Sequence, residues 1–139
     1  MNYLIDTNVL SELRKPNCHP AVMRLVSSLD EESLYLSVIT VGELARGIGK
    51  LARGRKRTEL EKWFDQIDGQ FGDRVLSIDA GTARLWGEVS VRAEKKGRSI
   101  PAVDGLIAAC ALRHNCVLLT RNTDDFEHTG ANLLNPWTA

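Results

Sequence analysis

Tyr3-Leu4-Ile5-Asp6-Thr7-Asn8-Val9-Leu10 opens the chain. Tyr3-Leu4-Ile5 reads as a strand, and the strand ends directly on an acid. A carboxylate that follows a buried run is costly unless something partners it. Similar short runs, almost continuous in hydrophobicity, recur at Leu34–Val38, Val75–Ile78, Val117–Thr120 and, more weakly, Asn132–Leu134. Such runs suit strands covered on both faces. Helical periodicity fills the gaps, over His19–Leu29, Val41–Ala52, Thr58–Phe71, Asp79–Lys96 and Pro101–His114. The last begins with proline in its first turn and carries Val103, Leu106, Ile107 and Cys110 on one stripe. Strands alternating with helices predict an α/β protein with a mostly parallel sheet. Short right-handed crossovers then predict three layers, α/β/α.

The bulk properties narrow the function classes. A chain of 139 residues fits one domain, 1–139, at about 100–200 residues per domain. Lysine plus arginine is 18 and aspartate plus glutamate is 18, so the net charge is zero and any nucleic-acid site must be a local basic patch. No apolar run approaches the ~20 residues of a membrane span, so no membrane partner is expected. The N-terminus has no cationic start and meets Asp6 early, unlike a signal peptide. Cys18, Cys110 and Cys116 form an odd set without CxxC spacing. They suit a reducing, cytoplasmic setting, with Cys110 and Cys116 as small core fillers.

The acids fall at telling places. Glu43 lies in the opening turn of the helix expected at Val41–Ala52, Asp104 in the first turn of the Pro101 helix, and Asp124 and Asp125 just beyond the fourth strand. In an open parallel sheet, ligands bind beyond the carboxyl ends of the strands; Asp6, Glu43 and the Asp124–Asp125 pair point to that edge, and Asp104 joins them if its helix N-terminus faces the same edge. Glu43 and Asp104 also suit plain helix capping. Clustered carboxylates repel and need a counter-charge if all are to ionise. Mg²⁺ or Mn²⁺ supplies it with oxygen ligands. His19, His114 and His128 show no ligand spacing, which disfavours zinc.

Four blocks together resemble PIN-domain nucleases, in particular the VapC and FitB-type toxins of bacterial toxin–antitoxin pairs. They are Tyr3–Glu12 (YLIDTNVLSE), Ser37–Leu44 (SVITVGEL), Ala102–Ala109 (AVDGLIAA) and Leu119–Phe126 (LTRNTDDF). The closing Leu134-Asn135-Pro136-Trp137 looks like the FitB branch. The resemblance implies a PIN fold with sheet order 3-2-1-4-5 and a Mg²⁺- or Mn²⁺-dependent ribonuclease that hydrolyses phosphodiesters with a metal-activated water. It also implies a homodimer and a cognate antitoxin of the VapB/FitA type, which binds operator DNA and lays a cationic or apolar tail across the acidic pocket. Carried over by position, Asp6, Glu43 and Asp104 match the family's three metal-site acids. Many relatives have a further acid where this chain has Asn122. Asn122 can ligate only through its carbonyl oxygen, and Asp125, or next Asp124, is the candidate replacement. Thr7, Asn8 and Thr120 are candidates to orient the carboxylates, although Thr7 and Asn8 also read as ordinary helix caps.

RNA needs basic groups to grip it. Arg46, Lys50, Arg53, Arg55, Lys56 and Arg57 form the densest cluster, with Arg46 and Lys50 on one helix face. Arg121 lies close to the expected strand ends. Arg92, Lys95, Lys96 and Arg98 read as a helix terminus complementing its dipole. Two other functions fit less well. A haloacid-dehalogenase-type phosphatase needs a second aspartate where Asn8 stands. A catalytically weak PIN scaffold is favoured only by Asn122.

Overall fold

Five parallel strands form the centre of the molecule, in the order β3-β2-β1-β4-β5. The computed structural model describes residues 1–139. The strands are β1 (Asn2–Ile5), β2 (Leu34–Ser37), β3 (Val75–Leu76), β4 (Cys116–Leu119) and β5 (Leu133–Leu134). Leu4 of β1, Leu36 of β2 and Leu118 of β4 are wholly buried, as helices cover both sheet faces. The expected sheet order is the one observed, and β1 lies at its centre. Both of its neighbours therefore end beside Asp6.

Seven α-helices complete the fold: α1 (Thr7–Leu13), α2 (Pro20–Ser27), α3 (Val38–Gly49), α4 (Arg55–Phe71), α5 (Ala80–Lys95), α6 (Ala102–Arg113) and α7 (Thr123–Phe126). One apolar cluster joins α1, α2 and α4 to the sheet through Val9, Val22, Ile67 and Phe71. A second joins α5 and α6 through Val89, Ile107, Ala108 and Cys110. Cys110 and Cys116 are buried in it as small fillers. No helix is long and apolar enough to cross a membrane.

The single-turn α7 is not among the expected helices and β3 is shorter than Val75–Ile78, while α1, α3 and α4 differ from the expectation for local reasons. Helix α1 starts where the strand stops, because the Asp6 carboxylate accepts the Thr7 N–H at 2.8 Å and caps it. Helix α3 starts three residues early, because the Ser37 hydroxyl accepts the Ile39 N–H at 3.1 Å. Glu43 therefore lies in the second turn, beyond the reach of a capping role. Helix α4 takes in Arg55, Lys56 and Arg57. Arg55 and Arg57 pair with Glu59 and Glu61 one turn on, at 3.2 and 3.1 Å.

Candidate active site

Asp6 is 6% exposed at the end of β1. A carboxylate so buried must be met by donors, and three are supplied. The Thr120 hydroxyl, one residue past β4, donates to Oδ2 at 2.7 Å. The Asn8 amide donates to the same oxygen at 3.3 Å, and the Thr7 N–H donates to Oδ1. Asn8 also accepts the Arg121 N–H through Oδ1 at 3.2 Å, tying the end of β1 to the loop after β4. Thr120 accepts the Asn122 N–H at 3.1 Å. The side chains expected to orient the acids therefore do touch them. Burial still prevails over these donors and holds the Asp6 pKa above its ordinary value.

Glu43 projects from α3 towards α1, and its Oε1 accepts the Thr7 hydroxyl at 2.7 Å. Asp104 sits in the first turn of α6. Its carboxyl is pushed up to about 6, first by burial and then by the negative charges of Asp6, Glu43 and Asp125. Four acids from four separate stretches thus share one electrostatic neighbourhood. No lysine or arginine answers them, since the molecule's four salt bridges involve Glu12, Glu59, Glu61 and Asp79. Asp104 and Asp125 line one cavity of about 150 Å³ together with Arg98, Ser99 and His128. Asp124 is exposed on the same short helix but is not among the charges acting on Asp104. Asn122 is exposed and caps α7 by position only, without a side-chain bond.

The donor chemistry fits a hard divalent cation. It is all oxygen, mutually repulsive and without a basic partner. No three of these carboxylates converge tightly enough to share one ion directly as the side chains lie. Mg²⁺ keeps several waters and needs only one or two direct carboxylates.

The basic residues divide. Arg46 and Lys50 are exposed and line a groove of about 380 Å³ with Glu43 and Val103, so the groove runs up to the acids. Arg14 and Lys56 border a neighbouring groove that also includes Glu43. The Arg121 guanidinium lies 4.9 Å from the ring centre of Trp137, in a cation–π contact that holds it against the C-terminal segment. Arg92 is not a simple dipole complement. Its Nη1 donates to the Thr129 carbonyl at 2.7 Å. That partner lies 37 residues away, which no local pattern in the sequence signals.

The site is thus an acidic depression at the carboxyl edge of a parallel sheet, whose acids form no salt bridge. Residues 3–132 match the PIN domain family, and the chain belongs to that family. It is 36% identical to the VapC ribonuclease Y4jK of Sinorhizobium fredii over 135 residues, covering 96% of both chains. It is 37% identical to toxin FitB of Neisseria gonorrhoeae over 135 residues, covering 96% of this chain and 97% of FitB. Its fold superposes on a chain of the FitAB complex bound to an IR36 DNA fragment with a TM-score of 0.91 at 36% identity, covering 97% of this chain and 95% of the other.

Proposed function

We propose that this chain is a divalent-cation-dependent ribonuclease and the toxin of a type II toxin–antitoxin pair. The carrying observation is the grouping of four acids at the carboxyl edge of the sheet, where Asp6, Glu43 and Asp125 act on Asp104 and none of the four forms a salt bridge. Relatives named as a ribonuclease and a toxin support the same reading.

Asp6 and Asp104 would hold Mg²⁺ or Mn²⁺, with Glu43, Asp125 and the Asn122 carbonyl oxygen as further oxygen donors. Bound there, the cation supplies positive charge at the phosphodiester and acidifies water. Thr120 and Asn8 fix the Asp6 carboxylate, so its lone pairs need no reorganisation during reaction. Thr7 occupies Oε1 of Glu43 and leaves Oε2 to orient the attacking water or accept its proton. In-line attack at phosphorus expels the 3′ oxygen and leaves a 5′-phosphate. Arg46 and Lys50 carry the flanking phosphates along the groove that reaches Glu43.

The partner in this reading is an antitoxin that covers the acidic depression and joins the toxin to operator DNA. The relative solved as FitAB on a DNA fragment supports it. The decisive experiment is RNA cleavage by the purified chain with Mg²⁺ or Mn²⁺, with EDTA, and after Asp6→Asn. Cleavage that needs the cation and Asp6 is the expected result. RNA left intact by the wild-type chain in both cations, or EDTA-resistant cleavage unaffected by Asp6→Asn, would overturn the assignment.

A further inference from the structure

We infer that Arg92 is a positioning residue for Asp125, acting from α5 through the segment that follows α7. The inference rests on the reading of Asp125 as part of the acidic site.

Helix α7 is a single turn of four residues. A turn this short does not hold its shape alone, because helix nucleation is unfavourable. Something outside it must therefore fix where Asp125 points. Phe126 anchors one side, being 1% exposed in the α5–α6 cluster. The other side hangs on Thr129, also 1% exposed. The Thr129 hydroxyl donates to the Phe126 carbonyl at 2.6 Å and accepts the Ala131 N–H at 3.2 Å. The Thr129 N–H donates to the same Phe126 carbonyl at 3.1 Å. These bonds make the segment a small rigid knot but connect it to nothing distant.

Arg92 makes the distant connection. Its guanidinium donates to the Thr129 carbonyl. The next residue is Gly130 at φ +86°, where a Cβ would stand 2.5 Å from the Arg92 Nη1. Glycine is needed there both for the backbone conformation and for the approach of the arginine. Helix α5 packs along α6, the helix that carries Asp104. Helix α7 also packs directly on α6, and the hydrogen bond from α5 adds a second tie that holds the segment after Asp125 at the cavity which Asp104 and Asp125 line.

The test uses Arg92→Ala, Arg92→Lys, Asp125→Asn and the double variant Arg92→Ala/Asp125→Asn of the full chain. Loss of the tie should speed amide exchange over residues 123–131 about tenfold or more, with the sheet unchanged, since a hydrogen bond from a charged donor is lost. Binding of Mn²⁺ alone, followed by calorimetry, should weaken about tenfold. For RNA cleavage kcat should fall about tenfold with KM unchanged, and Arg92→Lys should recover most of each loss. The double variant should be no slower than Asp125→Asn alone, because the two act as one unit. Unchanged exchange over 123–131 in Arg92→Ala would overturn the tie, even if the chain proves to cut no RNA. Multiplicative losses in the double variant would overturn the route through Asp125. An inactive wild-type chain would instead count against the nuclease reading, leaving exchange and Mn²⁺ binding to decide on Arg92.

Discussion

Asp6 and Asp125 both raise the Asp104 carboxyl, yet the molecule holds them in different ways. Asp6 stands at the end of the central strand and is gripped by Thr120, Asn8 and the Thr7 N–H. Its neighbours β2 and β4 leave it no freedom to move. Asp125 stands on an exposed single turn, steadied from outside by Phe126 and the Thr129 knot. The molecule thus has one acid whose place is set by the sheet and another whose place is set by side chains. The first is held by the strand order itself, the second only as long as the contacts around α7 persist.

The comparison can be broken most directly at the rigid end. Thr120→Val removes the hydroxyl that donates to Asp6 and accepts the Asn122 N–H, with little change in shape. Loss of a partner to a buried charged group should cost about 1–3 kcal/mol of stability, and cleavage should fall roughly 10- to 100-fold. Denaturant unfolding and single-turnover cleavage check both. Wild-type values for both would mean that Asp6 is not held through Thr120. At the other end, Asp125→Asn should slow cleavage by about tenfold, the lower end of the same range, while Asp124→Asn leaves it unchanged. Equal losses at the two positions would contradict the selection of Asp125.

Arg46→Ala/Lys50→Ala should leave kcat in place and raise KM for RNA. The salt dependence of binding should flatten by about 1.4 in log–log slope, two phosphate contacts at ~0.7 each for a single strand. An unchanged slope would show that the α3 groove does not track RNA.

The smallest effect concerns stability without metal. The Asp104 carboxyl titrates near 6 in the folded chain against 3.8 in the unfolded chain. Between those values the folded state binds more protons, so its contribution is fully present below 3.8 and is lost as the pH rises through about 6. In EDTA the melting temperature should therefore fall over that window. Asp104→Asn should flatten this part of the profile and melt higher than wild type at pH 7. A metal-free wild type that gains stability across the window through this residue would contradict the crowding of acids around it.

The strands were legible because β1, β2 and β4 are buried on both faces and their sequences are correspondingly continuous in apolar character. Asp6 and Asp104 were legible as acids that follow or open a predictable element, while Glu43 lies in the second turn of α3 rather than its first. Helix α1 was not legible, although Thr7 and Asn8 read as helix caps, because the cap is the Asp6 carboxylate that ends the strand. The early start of α3 was hidden because Val38, Ile39 and Thr40 look like strand until the Ser37 cap is seen. Arg121 looked available for RNA, and only its contact with Trp137 shows where its guanidinium rests.

By itself the order of residues determined which segments become strands and helices, and that several acids fall where strands end. Those follow from hydrophobic period and end signals, which act over a few neighbours. Tertiary structure alone decided that Asp125 shares a cavity with Asp104, that the clustered acids form no salt bridge, and that Arg92 reaches Thr129. Electrostatic and hydrogen-bonding energies depend on separation through space. Packing the helices on the sheet makes neighbours of groups that the chain keeps dozens of residues apart.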